Sequence, residues 1–431
     1  MASSETSNDG WPWTTGARAP DVIEKQFPVT YAGRGLSLDS EGEQRNVNVA
    51  IPTLAGRVAA NALTPHQTDK DGDELPGSAD TAAPDGPDDV LDRGKGYLWD
   101  AALRAGLTVR NYGFFVDTEL YGCPAPAGAT CMPLNANLTA SDTVVAYPTS
   151  VSLTPFTDPY YRGFDNQFPD YYRFKEWERD FNRNYAAGGL PNLSLVRLMH
   201  DHTGNFGDPG GFGINTPELQ QTDNDYAVGL LVQTIANSAV YKDNTLIFVI
   251  EDDSQDSGDH VNSHRTIAFV AGAYVKQQAL VSTAYNTINF VRTIEEVLGL
   301  PPMNLNDAVA NPMADIFNTT PNSWSFTAAP SAYLYCTNLA TLLPTPAQTC
   351  PGTTQTAAYW THATRKMNFT TEDDFDFAQY NRVLWKGLMG NKPYPSRPNG
   401  KDLRQNRAQL LARYQRTLQH RTALAARPVK D

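Results

Sequence analysis

The sequence predicts an α/β fold in which a largely parallel sheet lies between two layers of helices. Short apolar segments with strand character alternate along the chain with longer segments of helical periodicity, which is the order typical of parallel sheets. The strand segments are apolar throughout, so both of their faces are expected to be buried. Polar clusters directly follow two of these strands, as at the carboxyl edge of an α/β sheet.

The first unit is a helix followed by a strand. Gly96–Leu107 has helical spacing, with Leu98 and Ala102 on one side and Gly106 near the end, and Thr108–Val116 is apolar and extended in character. The middle of the chain repeats this pattern. Its predicted elements are a strand at Leu193–Met199, a helix at Asp223–Ile235 with Asp223 as its N-cap, a buried strand at Leu246–Ile250, a strand at Thr266–Val270 and a helix at Thr287–Leu298.

The chain is long enough for one large domain with additions. We expect the α/β domain at residues 1–315 and a loop-rich extension at 316–400, whose closing helix packs on the same domain. Residues 401–431 form a basic segment with helical spacing. It is expected to be an amphipathic helix that packs on its own acidic protein, and a membrane surface is the alternative.

Composition excludes several classes of function. Of the 431 residues, 41% are hydrophobic and 19% are charged, which is typical of a folded globular protein. The net charge of −13 argues against nucleic acid as a partner, because phosphate backbones bind basic surfaces. No apolar run approaches the roughly 20 residues that would span a bilayer. A phosphorylated substrate remains compatible with the acidic charge, because bound cations invert the local field.

The four cysteines form two close pairs, Cys123 with Cys131 and Cys336 with Cys350. Each pair lies in a segment that is expected to be a loop, and two local disulfides are the favoured interpretation; four unrelated thiols are the alternative. Disulfides indicate an oxidising compartment, so we expect a secreted or periplasmic protein. The first residues lack the pattern of a signal peptide, so an export signal would have been removed or would lie upstream.

Histidines and carboxylates cluster after two predicted strands. His200, Asp201 and His202 follow the first of them, and the run Glu251–His264 (EDDSQDSGDHVNSH) follows the second. Imidazoles combined with carboxylates suit Zn²⁺, Mn²⁺ or Fe, whereas carboxylates alone would suit Ca²⁺. The joint pattern predicts a divalent-metal site, most consistent with Zn²⁺. His200 taken alone is interpreted as a hydrogen-bonded histidine at a strand end.

These clusters resemble a known family. Leu193–Gly204 (LSLVRLMHDHTG) and Phe248–Thr266 (FVIEDDSQDSGDHVNSHRT) are similar to the phosphoesterase family of the alkaline phosphatase superfamily. The similar branch contains phospholipase C-like and acid phosphatase-like enzymes and a group often fused to β-propellers. The resemblance extends roughly over 11–314 and 372–393. It implies an alkaline phosphatase-like three-layer sandwich with irregular peripheral insertions.

The resemblance also implies roles for particular residues. Asp201, His202 and His264 match the ligands of one metal ion, and Asp252 with Asp253 match those of the other ion or of the only one. By the same resemblance His260, in a DHV element, is expected to contact the substrate phosphate or the metal.

One element of the family is not found. The family begins with a strand followed by Glu-Asn-Arg-Thr or Glu-Asn-Arg-Ser, which carries the nucleophile, and the sequence contains no such element. The catalytic nucleophile is therefore unknown, and Thr14, Thr15 and Thr203 are the nearest hydroxyl substitutes. The α/β domain is thus expected to be incomplete at its N-terminus, and a complementing N-terminal segment or self-association would complete it.

Two functions follow as expectations. The first is a metal-dependent hydrolase of phosphoric esters, acting on a phosphorylated small molecule or a phospholipid, with this chain by itself inactive if the nucleophile is supplied elsewhere. The second is a non-catalytic extracellular metal-binding or structural module derived from the same fold.

Overall fold

A computed structural model describes residues 7–18, 96–116, 145–146, 152–207, 210–252, 266–344, 347–367, 369 and 377–394. The chain divides into two compact units, Met1–Leu388 and Met389–Asp431. In the second unit the described residues end at Tyr394, and the Lys392 amide donates to the Met389 carbonyl oxygen at 3.2 Å. The basic segment at 401–431 and the cysteines Cys123 and Cys131 lie outside the described residues.

The α-helices in the described part of the chain are α1 (Ser7–Gly16), α2 (Leu98–Arg104), α3 (Asp170–Asp180), α4 (Pro217–Ala236), α5 (Thr287–Leu298), α6 (Leu305–Val309), α7 (Ala357–Ala363) and α8 (Phe377–Met389). The strands are β1 (Val109–Tyr112), β2 (Leu193–Val196), β3 (Leu246–Ile250) and β4 (Ala268–Gly272). A π-helical turn, Phe181–Tyr185, follows α3, and short 3₁₀ helices lie at Thr154–Phe156, Ala314–Ile316, Ala332–Cys336 and Asn338–Leu342. None of the described helices is both long enough and apolar enough to cross a membrane.

The strands form two separate two-stranded sheets. β1 and β2 are parallel, with Val109 opposite Leu193, whereas β3 and β4 are antiparallel, with Leu246 opposite Gly272. The strand predicted at Thr266–Val270 is β4, which begins two residues later than expected and is antiparallel to β3. A single, largely parallel sheet stays a prediction.

Both sheets lie between the same helices. On one face, Leu193 and Leu195 of β2 pack with α1, α2 and α5, and Phe248 of β3 packs against Phe290 of α5, with ring centroids 5.1 Å apart. On the other face, Val196 of β2 and Ile247 of β3 pack with the cluster that contains α3 and α4. Helices thus cover the strands on two sides in the described residues, and the alkaline phosphatase-like topology remains a prediction.

Local sequence signals explain where the longer helices begin and end. The hydroxyl of Thr216 accepts from the Leu219 amide at 3.4 Å, and Pro217 occupies the first turn of α4, where its missing N–H costs nothing. The prediction that Asp223 caps this helix is wrong, because α4 begins six residues earlier. Asn286 caps α5, and Gly299, with φ of +69°, ends it in the left-handed conformation that glycine favours.

The segment after residue 315 packs on α4. Leu334 and Leu339 of the 3₁₀ helices join Leu219 and Tyr226 of α4 in one apolar cluster. Cys336 and Cys350 are bonded to each other, with their Cα atoms 5.1 Å apart. This part of the expected extension therefore belongs to the same compact unit as the strands.

Candidate metal centre

The loop after β2 is held by a carboxylate from α3. Asp170, the first residue of α3, accepts hydrogen bonds from the backbone amides of Met199 at 3.0 Å and His200 at 2.8 Å. Gln220 of α4 adds a second clamp, since its side-chain amide donates to the carbonyl oxygen of Gly204 at 2.6 Å and accepts from its N–H at 2.8 Å. Backbone groups of the loop are thereby satisfied by side chains, which fixes its path.

His200 points into the protein and away from the cavity described below. Its Nδ1 lies 2.6 Å from Asp223 Oδ2 and its Nε2 lies 3.1 Å from the carbonyl oxygen of Asn166. Burial alone would lower the pKa of His200, but the hydrogen bond to Asp223 and the negative charge of that residue raise it above its ordinary value of 6.5. The interpretation of His200 as a hydrogen-bonded histidine is confirmed.

Asp170, His200 and Asp223 form a buried group whose ligand-type atoms all lie within 4.8 Å of one another. The oxygens of Asp223 already accept from the amides of Asp170 at 2.6 Å and Tyr171 at 3.1 Å, in addition to His200. Those of Asp170 also accept from Arg173 and Asn224, each at 3.0 Å. Because these hydrogen bonds use the lone pairs that a metal would need, we interpret this group as a structural clamp.

Asp201 and His202, unlike His200, line the cavity described below. The His202 ring is 3% exposed and packs edge-on against Phe164, with centroids 5.5 Å apart. The side chain of Gln221 donates to the Asp201 carbonyl oxygen at 2.6 Å, and that of Asn166 donates to the His202 carbonyl oxygen at 2.8 Å. The backbone of both residues is thus fixed by side chains from other segments.

Glu251 and Asp252 follow β3, and their charges act on Asp201 in the loop after β2. Burial, followed by the negative charges of Glu251 and Asp252, raises the pKa of Asp201 to about 8. Burial and Asp252 also raise the pKa of Glu251, against the effect of a hydrogen bond from the Thr266 hydroxyl. Three carboxylates that repel one another near an imidazole are a donor set that a divalent cation would stabilise. Among the described residues, however, only Asp170, His200 and Asp223 have ligand-type atoms within 4.8 Å of one another, so a cation at Asp201, His202, Glu251 and Asp252 would require these side chains to move closer together.

A cavity of about 780 Å³ connects the two strand ends. Asp201, His202, Glu251 and Asp252 line one part of it, and Trp11, Thr14 and Thr15 of α1 border it. Arg197 is the only arginine or lysine among the described residues that line this cavity, and its guanidinium carbon lies 4.6 Å from the centroid of the Trp11 ring and 5.5 Å from that of Phe164. Positive charge at the wall would favour an anionic ligand.

The threonine hydroxyl groups considered as nucleophile substitutes form hydrogen bonds with other groups of the protein. Thr14 Oγ1 donates to the Gly10 carbonyl oxygen at 2.8 Å, and Thr15 Oγ1 donates to that of Trp11 at 2.5 Å. Thr203 Oγ1 lies 2.7 Å from the hydroxyl of Tyr380. The nucleophile therefore remains unassigned.

Asp201, His202 and Asp252 line one cavity together with Glu251, and a metal site formed by them stays a prediction. Glu251 was not selected by sequence reasoning, although it belongs to the same acidic run. Asp253, His260 and His264 lie outside the described residues, so their roles stay predictions.

No protein-family model matches this sequence, and no curated protein matches it. A divalent-metal centre and the phosphoesterase resemblance both stay predictions and are carried into the proposal below.

Proposed function

We propose that this protein is a divalent-metal-dependent hydrolase of phosphoric esters. The observation that carries the proposal is that Asp201 and His202, in the loop after β2, and Asp252, after β3, line one cavity. Asp253 and His264 are proposed to complete the metal ligands, and His260 to contact the phosphate of the substrate. Zn²⁺ is the preferred ion, and Mn²⁺, Fe and Ca²⁺ are the alternatives for this donor set.

A bound divalent cation would stabilise negative charge on phosphoryl oxygens. Around it, the protein's own groups favour an ester anion. Arg197 contributes positive charge to the cavity wall, and apolar side chains of β2, β3 and the helices form much of the remaining lining. The loop clamps made by Asp170 and Gln220 hold Asp201 and His202 in place before a ligand arrives.

The proposed setting is outside the cytoplasm, as a secreted or periplasmic protein. The Cys336–Cys350 bond supports this setting, because disulfides persist in oxidising compartments. The substrate is proposed to be a phosphorylated small molecule or a phospholipid.

The test combines metal content with turnover. Native protein is analysed by elemental mass spectrometry and then assayed with p-nitrophenyl phosphate and bis(p-nitrophenyl) phosphate in the presence of Zn²⁺ or Mn²⁺. We expect bound metal in the wild type and at least a tenfold loss of both metal and turnover in Asp201→Asn and in Asp252→Asn. Asp225→Asn, an exposed position on α4, is the matched control. Full metal occupancy in the Asp201→Asn, Asp252→Asn double variant would contradict the proposal.

A non-catalytic metal-binding module is the second candidate. It is favoured by one observation, the engagement of the Thr14, Thr15 and Thr203 hydroxyls in other hydrogen bonds. Wild-type protein that binds metal tightly but turns over neither ester would support this module and reject the hydrolase.

A further inference from the structure

A buried carboxyl pair joins α5 to the segment that carries α6. The side chains of Glu295 and Asp307 are both fully buried. The Met303 amide donates to Glu295 Oε1 at 3.2 Å and to Asp307 Oδ2 at 2.8 Å, so one oxygen of each carboxyl group faces the same N–H. Two carboxylates this close repel each other unless they share a proton. The pair therefore holds one proton more tightly than a single carboxyl group would.

The groups that act on Glu295 come from α5, from α6 and from the turn between them. Arg292, on α5, donates to Glu295 Oε2 at 3.2 Å and also pairs with the exposed Glu296. Burial, followed by the hydrogen bond and charge of Asp307, raises the pKa of Glu295 to about 8, against the effects of Arg292 and the Met303 amide. Ionisation of Glu295 thus places a second negative charge in the contact between α5 and α6.

The segment that carries Asp307 also holds the C-terminal end of α1. Asp307 Oδ1 accepts from the Asn304 amide at 2.9 Å and thereby fixes the backbone of Asn304. The Asn304 side chain donates to the Gly16 carbonyl oxygen at 2.8 Å, and the Asn306 side chain donates to that of Ala17 at 3.0 Å. The carboxyl pair is therefore connected to α1 through two asparagine side chains.

The backbone of Ala17 indicates that contacts from α6 impose the conformation at this end of α1. Its φ of +57° lies in the left-handed region, which is unfavourable for a residue with a Cβ atom, and the residue is fully buried. Such a conformation persists only where the surrounding structure imposes it. Loss of the hydrogen bond from Asn306 would therefore allow the end of α1 to relax away from α6.

Residues of α1 closer to its N-terminus form part of the cavity wall. Trp11, Thr14 and Thr15 line the cavity. A Cβ atom at Gly10 would lie 2.5 Å from the Asp252 carbonyl oxygen, so the backbone of α1 is in close contact with the loop after β3. A movement of α1 would therefore change both the cavity wall and the surroundings of Asp252.

We propose that the proton shared by Glu295 and Asp307 controls the position of α1. While the pair holds the proton, α5 and α6 stay together, and Asn304 and Asn306 keep α1 against the cavity. When the proton passes to solvent, the two carboxylates repel each other, α6 leaves α5 together with α1, and the cavity wall opens beside Asp252. This inference goes beyond the proposed hydrolase, because it concerns the position of a helix and needs neither metal nor ester.

The direction of the pH effect follows from linkage. Glu295 returns toward its ordinary pKa of 4.5 when α6 leaves, and it has the raised pKa when α6 is in place. The bound position of α1 is therefore fully supported below about pH 4.5 and loses that support as the pH rises through about 8. Because one proton is involved, the ratio of bound to released α1 changes by at most about tenfold per pH unit.

Amide hydrogen exchange of the full chain at several pH values is the test. EDTA is present and no ester is added, so the result is independent of the proposed hydrolysis. Each exchange rate is divided by that of Glu295→Gln at the same pH, which removes the intrinsic pH dependence of exchange. Glutamine retains an acceptor for the Met303 amide and does not ionise, so it imitates the protonated pair at every pH.

Two results are expected for the wild type. The rate ratio for the amides of α1 should rise at least tenfold between about pH 6 and about pH 8. At about pH 8, α1 should also exchange at least tenfold faster than the slowest amides of α4, because α1 is released without unfolding of the rest of the chain. The second comparison uses the wild type alone, so it does not depend on the folding of any variant.

Further variants test the connection from the pair to α1. Asn304→Ala combined with Asn306→Ala removes the two hydrogen bonds to α1, so α1 should exchange about tenfold faster at about pH 6 and its rate ratio should no longer change with pH. Glu296→Gln, which replaces an exposed carboxyl group beside Glu295 on α5, is the matched control and should keep the wild-type response. Circular dichroism confirms that the variants are folded.

Three outcomes would overturn the proposal. The first is a rate ratio for α1 that stays constant from about pH 6 to about pH 8. The second is exchange of α1 no faster than that of the slowest α4 amides, which would mean that α1 is released only by global unfolding. The third is a wild-type pH response in the double variant of Asn304 and Asn306, which would show that these side chains do not connect the pair to α1.

Discussion

The carboxylate of Asp170 joins three segments of the chain. It begins α3, pairs with Arg173 in the first turn of that helix, accepts the amides of Met199 and His200, and accepts the side chain of Asn224 on α4. The residue is fully buried and does not face the cavity. Its contribution to the candidate centre is therefore positional.

Replacing Asp170 by asparagine should destabilise the protein by about 3 kcal/mol, because it leaves the buried Arg173 guanidinium without its anionic partner and turns an amide N–H toward backbone donors. Urea unfolding measures the change. Asp225→Asn, in an exposed part of α4, should change the free energy of unfolding by less than about 0.5 kcal/mol. Equal stability of the two variants would show that the Asp170 contacts contribute little.

A pair of buried carboxyl groups lies between α5 and α6. The Met303 amide donates to Glu295 Oε1 at 3.2 Å and to Asp307 Oδ2 at 2.8 Å, so the two side chains share one donor. Burial, followed by the hydrogen bond and charge of Asp307, raises the pKa of Glu295 from 4.5 to about 8. Between pH 4.5 and about pH 8, Glu295 therefore keeps its proton in the folded protein and loses it in the unfolded chain.

This pair predicts a pH dependence of stability. The stabilising contribution of protonated Glu295 is fully present below its unfolded pKa of 4.5 and is lost as the pH rises through about 8. Relative to Glu295→Gln, wild-type stability should fall with a slope of at most about 1.4 kcal/mol per pH unit. Urea unfolding of both proteins between about pH 5 and about pH 8 measures the difference. Parallel stability curves would exclude a shared proton at this pair.

At the scale of elements, α1 is placed against the end of β3 by a glycine. A Cβ atom at Gly10 would lie 2.5 Å from the carbonyl oxygen of Asp252 and 2.7 Å from its carbon, and both are backbone atoms that cannot turn aside. Two amides hold the other end of α1, since the side chains of Asn304 and Asn306 donate to the carbonyl oxygens of Gly16 and Ala17 at 2.8 and 3.0 Å. The helix therefore has a defined position beside the acidic cluster.

Gly10→Ala should push α1 away from Asp252, lowering stability by about 1–3 kcal/mol and weakening metal binding. Calorimetric unfolding and metal titration are the measurements. Gly207→Ala is the matched control, because a Cβ at Gly207 meets no atom within 4 Å. Unchanged metal affinity in Gly10→Ala would show that the position of α1 does not affect metal binding.

Elements with several agreeing signals could be predicted from the sequence. α5 matches its predicted range Thr287–Leu298, because Asn286, Gly299 and the apolar spacing between them point to the same helix. The start of α4 was missed although Thr216-Pro217 is a favourable N-terminal pair, because Asp223 also has the character of a cap. Asp223 does cap a helix, but it is α3, which a linear sequence does not reveal.

At the scale of the whole molecule, metal binding and folding are coupled by linkage. If the centre is formed only in the folded state, metal at about 100 times its dissociation constant adds about 2.7 kcal/mol of stability. We expect EDTA to lower the melting temperature of the wild type and to leave that of the Asp201→Asn, Asp252→Asn variant unchanged. An equal response of both proteins would place the metal elsewhere.

The candidate centre was only partly accessible to sequence reasoning. Asp201, His202 and Asp252 were identified because each follows a predicted strand, and strand ends meet at one edge of a sheet. Asn166, Asp170 and Gln220 were not identified, because they act on backbone atoms of a distant loop and carry no characteristic spacing.

Tyr380, on α8, also holds the loop that follows β2. Its hydroxyl donates to the Thr203 carbonyl oxygen at 2.6 Å and lies 2.7 Å from the hydroxyl of that residue, across 177 positions of sequence. A protein cut between α7 and α8 would keep both sheets and the candidate ligands Asp201, His202 and Asp252. It would nevertheless release the peptide next to His202, so a shortened gene product would retain the donor atoms and lose their alignment.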